Sequence, residues 1–420
     1  MEIPLNTIEH TIKNFGSPIY MYDELGIRNR AKTFMETFRK YIPNFKQYFA
    51  VKATPNKYIL DILEQEGMGF DCSSITEVDL VNSKPTTEII YTSNYTSVED
   101  FEKILQHMSN NNTNIIINLD DIDGLDNLIV ASTNTGIVLP ELISFRLNPL
   151  FGSTSSETSS NVLGGSNTKF GVPSDKIVKA YELAKTSGFT KFGIHVMTGS
   201  CVLDIDYFKE LVDVVFENVA KLHNELNITF EFVDLGGGIG INYRPEQVSI
   251  DLDLLAKTIA EAVQTNLQKY LLPFNPVIAM ENGRYITGPF GFLVSKCKSI
   301  KCGVNDVKFY GMDACMANLM RPGMYGAYHK ITVPRLAEST EFAEANVVGT
   351  LCENNDWFAK NRVLPVGIEK NDIFVIHDAG AHGFSMGFQY NGKTRSAEVL
   401  YNKETNQIRV IRNKELHCFF

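Results

Sequence analysis

At 420 residues, with 44% hydrophobic and 21% charged side chains, the chain is long enough for two or three domains and a sizeable core. Its formal net charge of −10 supplies no basic stripe to neutralise phosphates, which argues against nucleic acid as the main partner. Seven scattered cysteines without a C-x-x-C pair argue against a disulfide framework or a zinc site, and the expected compartment is a reducing cytoplasm.

In chain order, the opening MEIPLNTIEHTIKNFG has neither the basic region nor the apolar run of a secretory signal, and no later stretch is long or apolar enough to span a bilayer. A strand-like piece, Pro18–Tyr22, comes first. Eight β-like runs follow: Tyr48–Val51, Gly69–Ser73, Ile89–Ser93, Asn114–Leu119, Ile143–Asn148, Phe192–Thr198, Phe230–Leu235 and Pro276–Glu281. Amphipathic segments lie between them, at Lys57–Glu66, Ser97–Met108, Ser174–Ser187, Asp204–Leu226 and Asp251–Leu271, with a weaker one near Asp121–Val130. Eight strand–helix repeats predict a (β/α)8 barrel over 25–290 in preference to an open doubly wound sheet. Beyond Phe290 the pattern turns to strands, at Phe292–Lys296, Lys308–Tyr310, Asn346–Leu351, Asp372–Ile376, Ala397–Tyr401 and Ile408–Arg412. This predicts an all-β domain over 291–420, joined by the N-terminal segment 1–24. The loop Gly152–Asn167, rich in Ser, Thr and Gly, follows the fifth barrel strand and reads either as a substrate lid or as a disordered insert.

Catalytic groups of a barrel stand at the C-terminal ends of its strands. Here those ends carry Lys52, Asp71, Asn94, Arg146, His195 with Met197 and Ser200, the turn Gly236–Gly237–Gly238, and Glu281–Asn282–Gly283–Arg284. Alone, Lys52 reads as a lysine snorkelling from a barrel rim. Beside a glycine-rich turn and an acid, it suggests a Schiff base with a phosphorylated pyridine aldehyde. The glycines bring backbone N–H groups close to an anion, or merely make a tight turn. They lack the spacing of a dinucleotide fingerprint. Glu281 is either a rim ion pair or the partner of a pyridine nitrogen, and Gly283 with Arg284 could complete a phosphate cup or meet a substrate carboxylate. Cys352 is either a small buried hydrophobe or a proton donor.

In combination, the segments Tyr48–Ala53, Phe70–Ser74, Lys169–Gly171, Asp234–Gly238, Glu281–Arg284, Met320–His329, Leu351–Glu353 and Tyr390–Asn391 resemble the alanine-racemase-like, fold-type III decarboxylases that use pyridoxal 5′-phosphate (PLP). The resemblance runs from Ile19 to Leu400. It implies a (β/α)8 barrel with a C-terminal β domain, an amino-acid substrate, and a homodimer with active sites at the subunit interface. Lys52 would be the Schiff-base lysine. Asp71, Ser200, Gly237, Gly238, Glu281, Gly283, Arg284 and Tyr390 would hold the cofactor, with Glu281 on its ring nitrogen. Arg284, Arg321, Tyr325, Glu353 and Tyr390 would hold substrate, and Cys352 would donate a proton from the other subunit.

The family's ring-stacking histidine falls at Met197, with His195 two residues earlier on the same strand face; either could cover the cofactor ring. Asn282 stands where the family usually has proline, His382 where it often has an aromatic, and the 152–167 loop lacks the histidine often seen before Lys169–Gly171. Glu353 directly after Cys352, and Arg321 before Pro322, point to a substrate with a distal carboxylate, meso-2,6-diaminopimelate yielding L-lysine. Decarboxylation of ornithine or carboxynorspermidine is the alternative. A racemase or a non-catalytic binding homologue fits Lys52, the glycine turn and Glu281 less well.

Overall fold

Strands buried on both faces need apolar side chains throughout, and this is what the eight runs supply. In the computed structural model, which describes residues 3–81, 87–111, 113–152 and 163–416 (backbone only at 111 and 305), they form one closed parallel sheet. The strands are Lys46–Ala50, Gly69–Cys72, Glu88–Ser93, Asn114–Leu119, Leu142–Asn148, Lys191–Val196, Phe230–Asp234 and Val277–Met280. Each pairs with the next in parallel, and the eighth returns to the first through Ala279 beside Lys46. Tyr48, Ile90 and Ala279, from the first, third and eighth strands, pack together with Ile116. Phe49, Phe70 and Phe145 are fully buried, each worth about 2–3 kcal/mol of transfer free energy.

By compactness the chain divides into two units, one of Arg30–Ile241 with Val248–Gly283, the other of Met1–Asn29, Asn242–Gln247 and Arg284–Phe420. In the barrel unit, caps fix where the connecting helices begin. Asn56, Asp204 and Asp251 accept backbone N–H groups at the starts of Lys57–Gln65, Ile205–Leu226 and Leu252–Lys269. Asn227 ends the second of these in a left-handed conformation. The segment near Asp121–Val130 is a helix, Asp123–Thr135, which turns Leu125, Leu128 and Ala131 inward. A helix at Ile75–Val81 has no counterpart in the sequence reading, because at seven residues it is too short to show a period. Among the described residues, no helix is long and apolar enough to cross a membrane.

The second unit holds a nine-stranded mixed sheet. Ile19–Asp23 lies in it between Gly291–Cys302, antiparallel, and Ala397–Asn402, parallel. Helix Leu5–Phe15 covers one face, where Ile8 and Ile12 meet Ile19, Met21, Phe292, Val294, Val375 and Val399. Two departures from the sequence reading have physical causes. Asn346–Leu351 extends only to Val348, within Phe342–Val348, since 349–356 form a turn in which buried Asp356 accepts the N–H of Leu351, its other oxygen accepting the N–H of Met316 from outside the turn. A strand at Trp357–Pro365 pairs with it but carries Lys360, Asn361 and Arg362, so it shows no apolar run.

Candidate active site

The barrel topology brings the strand ends to one mouth, and the chemistry-bearing residues of this unit cluster there. Lys52 follows the first strand in a single 3-10 turn, Val51–Ala53. Its Nζ donates to Asp71 Oδ2 at 2.6 Å. Asp71 is the third residue of the second strand, paired in register with Ala50. Lys52 is 47% exposed and Asp71 only 1%. Packing around Lys52 would lower its pKa, but the charges of Asp71 and Glu281 outweigh this and hold it up. Asp71 itself is pushed up to about 6 by burial and by Glu281, against the pull of Lys52.

Glu281 is the first residue beyond the eighth strand and is buried. Its Oε2 accepts from His195 Nε2 at 3.0 Å, so His195 is committed at that nitrogen. Burial alone would raise the Glu281 pKa; His195, Lys52 and Arg146 together hold it below the ordinary range. Glu281 Oε1 is buried without a hydrogen-bond partner in the protein. Arg146, on the fifth strand, is paired with Asp120 at 3.1 Å and donates to the Met197 carbonyl at 3.2 Å. Met197 is half-buried, and its Sδ accepts the Gly237 N–H at 3.2 Å. Ser200 is half-buried in the segment leading to helix Ile205–Leu226.

The glycine turn is packed too closely for side chains. A Cβ on Gly237 would stand 2.5 Å from the Glu281 carbonyl, and one on Gly238, whose φ is +106°, 2.8 Å from the Gly199 carbonyl. Gly283 lies against the segment that carries Lys52, where an added Cβ would meet Ala53 Cβ at 2.6 Å. Gly237→Ala is therefore expected to push the turn off Glu281, weakening cofactor binding by about tenfold or more while the barrel still folds. Cofactor titration and a thermal melt check this.

The second unit carries the remaining candidates. Arg321 opens the short helix Arg321–Tyr325 and is buried; Tyr325, at its end, is half-buried. Arg321 Nη1 meets His329 Nε2 at 2.8 Å, and His329 Nδ1 lies 2.8 Å from the His377 carbonyl. Burial and then Arg321 push His329 well below the usual histidine range. It is thus neutral, its Nδ1–H donating to the carbonyl and its Nε2 accepting from the guanidinium. The Arg321 guanidinium also lies 4.6 Å over the Tyr243 ring, and Arg284 Nη1 donates to Tyr243 Oη at 2.8 Å. Tyr243 thus joins the two arginines. The sequence reading singled out neither Tyr243 nor His329 by itself: one is uncharged in an irregular segment, the other the last residue of a longer motif. Glu353 and Tyr390 line one open cavity of about 480 Å³ with Met316, Asn355 and Phe388. The Cys352 N–H donates to Asn391 Oδ1 at 2.7 Å, and Cys352 is exposed. Of the loop 152–167, residues 153–162 lie outside the described residues, and with them the choice between lid and disordered insert.

A family model of the pyridoxal-dependent decarboxylases, covering their pyridoxal-binding domain, matches residues 27–288. The chain belongs to the pyridoxal-dependent decarboxylases. Among relatives of this decarboxylase, Protein TabA of Pseudomonas amygdali pv. tabaci is 35% identical, over 96% of this chain and 90% of its own. The diaminopimelate decarboxylase of Methanothermobacter thermautotrophicus is also 35% identical, with the same coverage. A crystal structure of diaminopimelate decarboxylase from Helicobacter pylori, complexed with L-lysine, superposes with a TM-score of 0.83 at 28% identity, covering 97% of this chain and 96% of that one. The expected barrel with a separate β domain, the PLP cofactor and the decarboxylase activity stand on these findings. The mouth also fits PLP on its own terms: a buried carboxylate oxygen without a partner suits a protonated ring nitrogen, and a glycine turn too tight for side chains suits a phosphate.

Proposed function

We propose that this PLP-dependent decarboxylase acts on meso-2,6-diaminopimelate and releases L-lysine, working in lysine biosynthesis as a homodimer. The observation that carries the substrate choice is Arg321, a buried guanidinium held by a neutral histidine and a tyrosine ring. Its planar fork matches a carboxylate, which favours a substrate that carries a distal carboxylate over one that does not.

The remaining roles are those the family resemblance implies for residues at these positions. PLP, when bound, supplies the electron sink that takes up the pair left by departing CO2. Lys52 presents its amine to the aldehyde carbon, and Asp71 keeps that amine in position. Glu281 holds the proton on the ring nitrogen through Oε1. Gly237, Gly238 and Ser200, with Gly283, would cradle the phosphate, and Tyr390 would close the cofactor site. Met197 or His195, whose Sδ and Nε2 meet Gly237 and Glu281, would cover the ring face. Arg284, Tyr325 and Glu353 would orient the substrate, and Cys352, from the partner subunit, would deliver a proton to the carbon that CO2 leaves.

The test is CO2 release across meso-diaminopimelate, lysine, ornithine and carboxynorspermidine, with Arg321→Leu beside the unaltered protein. The expected result is a preference for diaminopimelate, and a loss of kcat/KM in Arg321→Leu of about 10²-fold or more for that substrate, with little change for lysine. Preference for lysine or ornithine would refute the substrate and leave the decarboxylase standing. Equal similarity to Protein TabA favours, as a second reading, a different amino acid that also bears a distal carboxylate.

A further inference from the structure

Tyr243 lies in the irregular segment Asn242–Gln247, which by compactness belongs with Arg284, Arg321 and His329 in the second unit. It is buried, and its ring and its hydroxyl face different cations. The Arg321 guanidinium lies 4.6 Å from the ring centroid. Arg284 Nη1 donates to Oη at 2.8 Å, with its guanidinium carbon 5.8 Å from the same centroid. The ring also meets His329 edge to face, at 5.2 Å between centroids. This is the histidine whose Nε2 accepts from Arg321 Nη1 at 2.8 Å.

Two guanidiniums gathered at one ring repel each other. A phenol can hold both because it offers two places for a cation: the π face, which attracts through its quadrupole, and the hydroxyl oxygen, which accepts a hydrogen bond. Phenylalanine offers only the first, and an aliphatic side chain neither. Holding two long side chains in one geometry costs rotamer entropy, and a clamp grips tightly when that cost is met before the ligand arrives. We infer that Tyr243 is a positioning residue for substrate specificity: it fixes the Arg284 and Arg321 guanidiniums in one arrangement, so that together they grip the distal carboxylate of the substrate. The specificity half of this inference rests on the substrate roles proposed for the two arginines; the fixing of the guanidiniums does not.

Tyr243→Phe removes the acceptor of Arg284 and keeps the ring under Arg321, whereas Tyr243→Leu removes both. Crystal structures of the Tyr243→Phe and unaltered holoenzymes test the fixing directly. Arg284 is expected to leave its position in the variant, while Arg321 stays over the ring and on His329; an Arg284 guanidinium that has not moved overturns the inference, whatever the kinetics. With meso-diaminopimelate, Tyr243→Phe is expected to raise KM about tenfold with kcat within about twofold, and Tyr243→Leu to raise KM by about 10²-fold. For lysine, which has no distal carboxylate, kcat/KM should change by less than about twofold in either variant. Equal losses on both substrates, or weaker PLP binding in Tyr243→Phe, overturn the specificity role. In an Arg284→Gln background the phenylalanine substitution should add nothing to KM, and in an Arg321→Leu background its effect should persist. An effect that survives Arg284→Gln overturns the link between the hydroxyl and Arg284. Should Arg284→Gln and Arg321→Leu both leave diaminopimelate kinetics unaltered, the roles proposed for the arginines fail and the specificity role with them, while the crystal structures still decide the fixing.

Discussion

Lys52→Ala is expected to abolish turnover, lowering kcat by at least about 10⁴-fold, and to remove the visible absorption that bound PLP gains from its link to the protein. The charges that act most on the Lys52 amine are those of the acids Asp71, Glu281 and Glu77, and an acid cannot replace an amine in bonding to the aldehyde. The structural cost is smaller. Lys52 is 47% exposed, so its ion pair is partly screened, and its loss should destabilise the fold by only about 1–2 kcal/mol. What remains is Asp71, buried and facing Glu281 without its cation, with its pKa displaced upward beyond the value of about 6 it holds beside Lys52. The sign of the pH effect follows. A carboxyl whose folded pKa exceeds its unfolded value binds more protons in the folded state, so its contribution favours folding at low pH and is lost as pH rises through the folded pKa. The stability deficit of Lys52→Ala relative to the unaltered protein should therefore widen from pH 5 to pH 8, by analogy with other buried acids. Thermal melts at the two values, beside steady-state kinetics, separate the chemical loss from the structural one. Turnover at a normal rate in this variant would remove the basis for the whole scheme.

The barrel was legible because a parallel strand covered on both faces must be apolar along its length. Asn114–Leu119 stands in the structure with the bounds read from sequence, and Pro276–Glu281 shrinks only to Val277–Met280. Helix Glu24–Tyr41 was not read as an element, although Ile27, Ala31, Phe34, Met35 and Phe38 have helical spacing and are all buried. Its many charged residues hide a narrow apolar stripe. The pairing of Lys52 with Asp71 was within reach of sequence reasoning, since one βα repeat brings neighbouring strand ends together. The contact of His195 with Glu281 was not: it spans 86 positions and depends on the shape of the mouth. For the same reason the choice between His195 and Met197 stayed open in the sequence, while in the structure Glu281 occupies His195 Nε2 and the Gly237 N–H occupies Met197 Sδ. Arg321 was marked by its motif, but what fixes its guanidinium, a histidine eight positions on and a tyrosine far earlier, follows from no pattern.

Cys352→Ala is expected to lower kcat by about 10²-fold or more while PLP affinity and absorption stay unchanged. An exposed cysteine in a polar turn contributes nothing to a core, so truncation should leave the melting temperature within about 1 °C. The turn is anchored elsewhere, by the Cys352 N–H on Asn391 and by Asp356 on the N–H of Leu351, and alanine keeps both backbone bonds. If the thiol serves the partner's site, the defect must be complementable. Lys52→Ala lacks the amine of one site and Cys352→Ala the thiol, so a mixed dimer has one site with both losses and one with neither. Random exchange between equal amounts makes half of the dimers mixed, each with one intact site of two, and activity should recover to about a quarter of the unaltered level. Neither variant regains activity alone. If mixing restores nothing although subunits exchange, Cys352 serves the site of its own chain or none, and the interface-shared site is wrong. A loss of PLP binding in Cys352→Ala would instead make the residue part of the cofactor's seat.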